Sequence, residues 1–167
     1  TSSARNRLKV GTCSATATAC TQLQNIADAR HAGVELALDQ DLGPAWQVGG
    51  QYTYLDRQNR SNPAVPLTDT PRNKLFAYAT WKPVARWEVQ ASADAENGRR
   101  VAYGSGNAAT YTRLSGYALA NLKAVFRPVP AVALEAGASN LFDANYALAD
   151  GYPMPGRLWF ANARYTF

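Results

Sequence analysis

Several of the residues and runs that mark common protein classes are scarce or missing in this chain. One His and two Cys are too few for a zinc site, which draws on four N, S or O ligands. No apolar run approaches the roughly 18 residues of a membrane-spanning helix, so that kind of membrane protein is excluded. Charge shows no segregation. The 17 Lys plus Arg against 12 Asp plus Glu leave a net +5 with no run of one sign, whereas a nucleic-acid surface shows a clustered basic stripe. No nucleic-acid partner is therefore expected. An initiator Met and a signal peptide are also missing. The chain opens on Thr1 inside a stretch that already alternates, Thr1-Ser-Ser-Ala-Arg-Asn-Arg-Leu-Lys-Val10, and reads as a piece of something longer.

What is present is alternation. In Trp87–Glu96, Trp87, Val89, Ala91, Ala93 and Ala95 take one face, and Glu88, Gln90, Ser92, Asp94 and Glu96 the other. No helical period fits that run. Trp46, Val48, Gly50, Tyr52 and Tyr54 oppose Gln47, Gly49, Gln51 and Thr53; Val34, Leu36 and Leu38 oppose Gly33, Glu35 and Asp39. Ala118, Ala120, Leu122, Ala124 and Phe126 oppose Asn121, Lys123 and Arg127. The end of the chain does the same, with Trp159, Ala161, Ala163, Tyr165 and Phe167 alternating with Asn162, Arg164 and Thr166. Strands with one apolar and one polar face, ending on an aromatic C-terminus, suit a membrane barrel with lipid outside and water inside.

Strands are expected near 3–10, 26–38, 46–57, 72–82, 86–97, 113–127, 131–141 and 157–167. The connections 39–45, 82–86 and 127–131 are short and contain Pro44, Pro83, Pro128 and Pro130, which cannot donate to a ladder and so mark turns. The connections 11–25, 58–71, 98–112 and 142–156 are long, and polar or rich in Gly and Pro. Short turns alternating with long loops are the outer-membrane barrel pattern. The fold class is all-β: an antiparallel transmembrane β-barrel wall of about eight meandering strands. If 82–86 and 127–131 are five-residue turns, Trp81 faces Trp87, Lys74 faces Asp94, Arg72 faces Glu96, Phe126 faces Val132 and Lys123 faces Glu135. Apolar faces and charge signs then match together, and a one-residue slip would reverse both. A soluble sandwich or lipocalin-like binder would bury the same stripes, and a self-contained eight-strand barrel would close on itself.

Asn140-Leu-Phe-Asp143, Tyr146, Gly151-Tyr-Pro-Met-Pro-Gly-Arg157 and the closing Tyr165-Thr-Phe167 resemble the C-terminal end of TonB-dependent outer-membrane receptors. Arg30-His-Ala-Gly-Val-Glu35, Tyr52-Thr-Tyr-Leu-Asp56, Pro66-Leu-Thr-Asp-Thr-Pro-Arg72 and Gly116-Tyr-Ala-Leu-Ala-Asn-Leu122 agree with it, in the family's order. The resemblance implies the last part of a larger plugged barrel of about 22 strands, with residues 1–167 as its C-terminal portion and the plug and earlier strands absent. It implies energised uptake of a scarce metal chelate, a ferric siderophore first, with cobalamin or haem as alternatives. It implies no covalent chemistry, no catalytic residue, no resident metal and no cofactor. The implied partners are outer-membrane lipid, the chelate, the TonB system through the absent N-terminal part, and the barrel-assembly machinery, all in a Gram-negative outer membrane.

Within that frame the loops offer Arg99, Arg100, Tyr103, Tyr111, Arg113, Tyr146 and Tyr152 as contacts for an anionic, aromatic-bearing chelate. The competing reading makes them girdle tyrosines and loop arginines facing lipopolysaccharide or solvent. Trp159, Tyr165 and Phe167 are expected to be read as an assembly signal. Cys13 and Cys20 would form a loop-stapling disulfide in an oxidising compartment, with unlinked thiols as the alternative. His31 reads as a solvated lumen residue, and Gly104–Ala109 lacks the following helix of a phosphate loop.

Overall fold

The computed structural model describes residues 2–4, 28–103 and 110–167. Among the described residues twelve strands occur: β1 (Ser2–Ala4), β2 (Ala29–Asp41), β3 (Trp46–Asn59), β4 (Asn73–Val84), β5 (Trp87–Glu96), β6 (Arg99–Tyr103), β7 (Thr110–Leu114), β8 (Tyr117–Val129), β9 (Val132–Ser139), β10 (Ala147–Ala149), β11 (Tyr152–Pro153) and β12 (Leu158–Tyr165). Eight form one sheet in the order β1-β2-β3-β4-β5-β8-β9-β12. Every pairing in it is antiparallel. The described parts of the expected segments fall on this sheet, except that 113–127 divides between β7 and β8; positions 5–10 of the first and 26–27 of the second lie outside the described residues. Two long connections carry ribbons of their own, β6/β7 and β10/β11. Among the described residues β1 and β12 do not pair, so the sheet is an open wall rather than a closed barrel.

The wall is a single layer. Among the described residues no large side chain is fully buried, which rules out the interior that a two-sheet sandwich would need. The apolar faces lie in rows across the strands instead. One row runs Leu36, Tyr52, Leu75, Ala95 and Ala118; another runs Trp46, Trp81, Val89, Ala124, Ala136 and Ala161. A third, nearer the short turns, runs Val84, Trp87, Phe126, Leu134 and Ala163. Leu36 and Leu38 are 61% and 65% exposed, and so many exposed aliphatic side chains in register suit lipid rather than water. Aromatic pairs gather at the short-turn end. Trp46 stacks on Trp81 at 5.7 Å and Trp87 on Phe126 at 4.7 Å, each such pair contributing about 0.5–1.5 kcal/mol beyond burial.

The opposite face is polar. Asp39, Gly49, Tyr78, Ser92 and Asn121 share one row. Tyr78 donates its hydroxyl to Asp39, and Asn121 donates to Asp94 at 3.1 Å. Tyr78 lies over Gly49 so closely that a Cβ there would sit 2.5 Å from the ring. Glycine in that strand therefore makes room for the aromatic that covers it.

The register differs from the sequence expectation by two residues in both hairpins. Trp81 faces Val89 rather than Trp87, and Lys74 faces Glu96 rather than Asp94. Phe126 faces Leu134 rather than Val132, and Lys123 faces Gly137 rather than Glu135. Arg72 pairs with Asp56 at 3.1 Å instead of Glu96. The cause is the same in both hairpins. Each strand continues through its proline to Val84 or Val129, the ladder is irregular between Trp81 and Val84 and between Phe126 and Val129, and the turn shrinks to Ala85-Arg86 or Pro130-Ala131. A bulge accommodates a residue without an N–H. Beside each proline, Lys82 and Arg127 donate their N–H groups to Ala45 and Arg86 of the neighbouring turns, both at 2.8 Å. A slip of two keeps every side chain on its face, which is why the apolar pattern survived the error.

Candidate functional site

At the end of the wall opposite the short turns, the sheet order brings two connections together. The segment between β3 and β4 begins at Asn59, whose side chain donates to Val65 O at 3.2 Å and accepts from Asn62 N at 3.0 Å. The connection from β5 to β8 is the β6/β7 ribbon. Asp69 N donates to Arg100 O at 2.8 Å, tying segment to ribbon. Arg57 donates to Thr68 O at 3.0 Å, tying the same segment to the wall. Asp69 adopts a φ of 68°, a left-handed conformation that Asp tolerates better than most residues.

Between segment and ribbon lies a cleft of about 630 Å³. Arg57, Arg60, Arg72, Arg99, Arg100 and Arg113 line it, and among the described residues its wall includes neither a carboxylate nor an aromatic ring. Three of these guanidiniums already have partners. Arg72 pairs with Asp56, Arg99 with the Glu96 carboxylate (which also receives Lys74 at 3.7 Å), and Arg57 with the Thr68 carbonyl. Glu96 is only 9% exposed, so its two cationic partners offset a buried charge that would otherwise be costly. Arg60, Arg100 and Arg113 make no ion pair among the described residues. Arg100 and Arg113 stand directly opposite each other on the ribbon.

The ribbon's neck is fixed by glycines. A Cβ on Gly98 would meet Leu114 O at 2.4 Å and the Arg113 Nε at 3.1 Å, and one on Gly116 would meet Glu96 O at 2.4 Å. Such approaches leave no room for any other residue. Asn97 adds a clip, accepting from Asn73 N at 2.8 Å through its side chain.

Of the residues expected from sequence, Arg99, Arg100 and Arg113 meet in this cleft. Tyr111, Tyr146 and Tyr152 do not. Tyr111 faces Ala102 on the ribbon and does not line the cleft. Tyr146 stacks on Tyr117 at 4.6 Å, and Tyr152 is 74% exposed on the small β10/β11 ribbon. The side chain of Tyr103, the pair Cys13 and Cys20, and Gly104–Ala109 lie outside the described residues. Arg57, on β3, and Arg60, in the connection after it, escaped sequence reading because they lie far in sequence from Arg99, Arg100 and Arg113. Only the β3-β4-β5-β8 order makes the two connections neighbours. His31 stands opposite Arg57 in register, and among the described residues no cluster of His, Cys, Asp or Glu could hold a metal.

The C-terminal strand occupies one edge. Among the described residues it pairs only with β9, along one side, and all its residues are exposed. Thr166 N donates to Ala131 O at 2.9 Å, and Phe167 lies against Tyr165 with ring centroids 6.3 Å apart. Arg157 lies over the Trp159 ring at 5.8 Å, a cation–π contact at the strand's start.

Residues 3–141 match the family model described as TonB dependent receptor-like, beta-barrel. Among solved structures, the ferripyoverdine receptor of the Pseudomonas aeruginosa outer membrane is similar over 83% of this chain and 20% of its own, at 19% identity and a TM-score of 0.71. The ferric enterobactin receptor PfeA of Pseudomonas aeruginosa is similar over 86% and 23%, at 24% identity and a TM-score of 0.70. The copper transporter OprC is similar over 84% and 24%, at 21% identity and a TM-score of 0.67. The chain thus spans between a fifth and a quarter of the structures it matches.

Proposed function

Because this chain belongs to the TonB-dependent receptor-like β-barrel family, we propose that it is the C-terminal wall and loop segment of a receptor that imports a ferric siderophore. The family lies in the Gram-negative outer membrane, where outward apolar rows meet lipid and the polar face lines a lumen. The rest of the proposed receptor is a plug and the preceding strands, completing a barrel of about 22 strands. The open edges of this wall support that reading, since unpaired edges in lipid leave backbone groups unsatisfied.

The observation that carries the function is the arginine-lined cleft between the two long connections, at the end of the wall remote from the short turns. In this family's orientation that end faces the medium, where an anionic chelate would arrive. Charge-assisted hydrogen bonds from guanidinium groups give such a site both attraction and orientation. Coupling to an inner-membrane energy source would act through the plug, by way of the TonB system. The segment itself supplies wall, outer-loop contacts and, through Trp159, Tyr165 and Phe167, the strand read during assembly. Nothing covalent happens to the cargo in this scheme, so no residue here has a catalytic role.

Growth under iron limitation tests the reading. A strain lacking the parent gene should fail on at least one supplied ferric chelate that supports the wild type. Equal growth of both strains on every chelate of a broad panel would exclude iron uptake as the function.

A further inference from the structure

Trp87 borders two cavities at once. On the lipid-facing side of the wall it borders a furrow of about 610 Å³, within the range of about 300–1,000 Å³ that ligand sites occupy. At the rim beside the short turns it borders a second cleft of about 410 Å³, which Lys82, Glu88 and Arg127 also line. An apolar groove and a charged cleft that share one indole suit the two halves of an amphiphile.

The furrow follows from the outward rows. Its floor is Ala124, Ala136 and Ala161, one row of direct partners. Phe126 and Leu134, also direct partners, raise its edge toward the short turns, and Trp87 stacked on Phe126 at 4.7 Å stiffens that edge. Leu122 and Trp159 stand in the next row away from the turns. Glu135 and Asn162, which also border the furrow, alternate to the polar face. Same-face rows lie about 7 Å apart, so methyl groups between two bulky rows leave a trough about as wide as one hydrocarbon chain.

Lipid tails are as apolar as these side chains, so burial alone would not hold one lipid in preference to its neighbours. Selection has to come from shape and from the head group, and the rim provides the second. Arg127 is paired with Glu88 at 3.3 Å. Lys82 and Arg86 are exposed and make no ion pair among the described residues. Asp39 and Asp41 of the neighbouring hairpin alternate onto the polar face, so the unpaired charge beside Trp87 is positive. Ala136 lies about 16 Å along its strand from the turn residue Ala131, which confines the furrow to the leaflet on the short-turn side. In this family's orientation that leaflet faces the periplasm and consists of phospholipid, not lipopolysaccharide.

We propose that furrow and rim cleft together hold one anionic diacyl phospholipid, with an acyl chain over Ala124, Ala136 and Ala161 and its phosphate against Lys82 and Arg86. The site needs only the outer-membrane placement of the wall, so it stands whichever cargo the receptor takes.

The test is native mass spectrometry of the full-length receptor, extracted in mild detergent from vesicles of equal phosphatidylglycerol and phosphatidylethanolamine content. One phosphatidylglycerol should stay bound per receptor. Lys82→Gln with Arg86→Gln, at an exposed turn, should lower its retention relative to phosphatidylethanolamine by about fivefold or more. Ala124→Phe with Ala161→Phe should abolish retention of both lipids, whereas Leu36→Phe, on the same face of β2, should change nothing. If the furrow-filling variant fails to assemble, the turn variant decides alone. A receptor that retains no lipid, equal retention of the two lipids, or a turn variant that keeps the preference would overturn the proposal, as would bound lipid that survives furrow filling. A receptor dimer that dissociates on furrow filling would give the groove to a second copy and overturn it equally.

Discussion

Asp143 Oδ1 accepts the backbone N–H of Arg157 at 2.7 Å, joining the two ends of the connection between β9 and β12. The same oxygen would lie 2.3 Å from a Cβ on Gly156, so the contact requires glycine at that position. Asn140, only 4% exposed and at a φ of 50°, anchors the other side. Its side chain donates to Ala144 O and accepts from Ala144 N, both at 2.8 Å, while its own N–H reaches Asn121 at 3.0 Å. The Asn-Leu-Phe-Asp and Gly-Arg stretches that carried the family resemblance therefore form a structural clasp.

Gly156→Ala should accordingly disturb the clasp and destabilise the assembled barrel. Losing a hydrogen bond to a carboxylate, with some backbone displacement, costs about 1–3 kcal/mol. Asp143→Ala should cost a similar amount without steric conflict. The midpoint of thermal unfolding of the purified full-length receptor measures both; a midpoint unchanged in Asp143→Ala would show that the clasp contributes nothing.

The Gly49–Tyr78 contact makes a second prediction, this one about coupling. Gly49→Ala should destabilise by about 1–3 kcal/mol, because the new methyl meets the phenol ring. In a Tyr78→Ala background the ring is gone, so the same substitution should cost little. A double-mutant cycle on unfolding free energies reads the difference. Additive effects would mean that the ring already moves aside freely.

Register is open to direct measurement. Cys introduced at Ala124 and Ala136, which are direct partners, should oxidise readily to a disulfide. A pair at Ala124 and Leu134, partners only in a proline-turn register, should not, since bridging needs Cα atoms within about 7 Å. Preferential bridging of the second pair would restore the register read from sequence.

That contrast marks what was legible in the sequence. Face assignment follows from the two-residue period of the side chains, so Trp87–Glu96 and its partners could be placed on the wall without any structure. Strand offset depends on where a turn closes, and a proline inside a bulge resembles a proline inside a turn. Pro83 and Pro128 therefore misled both hairpins in the same direction. The site was half legible for a related reason. Arg99, Arg100 and Arg113 stand close in sequence, whereas Arg57 and Arg60 reach them only through the order of strands in the sheet.

Deleting Phe167 should lower the amount of receptor in the outer membrane sharply, and leave the ligand affinity of the assembled fraction unchanged. Phe167 is fully exposed and sits beyond the last ladder bond, Thr166 N to Ala131 O. It is remote from the arginine cleft, which lies at the other end of the strands. β12 keeps one edge unpaired among the described residues, and an edge with free donors and acceptors is the natural substrate for strand addition by an assembly partner. The terminal ring would then help fix the register of that encounter, while Trp159 and Tyr165 supply the rest of the apolar stripe. Quantifying heat-modifiable receptor in outer-membrane fractions, alongside chelate titration of the purified protein, separates the two effects. Normal membrane levels in the deletion variant would contradict the assembly role; lowered affinity with normal levels would move Phe167 to the binding side.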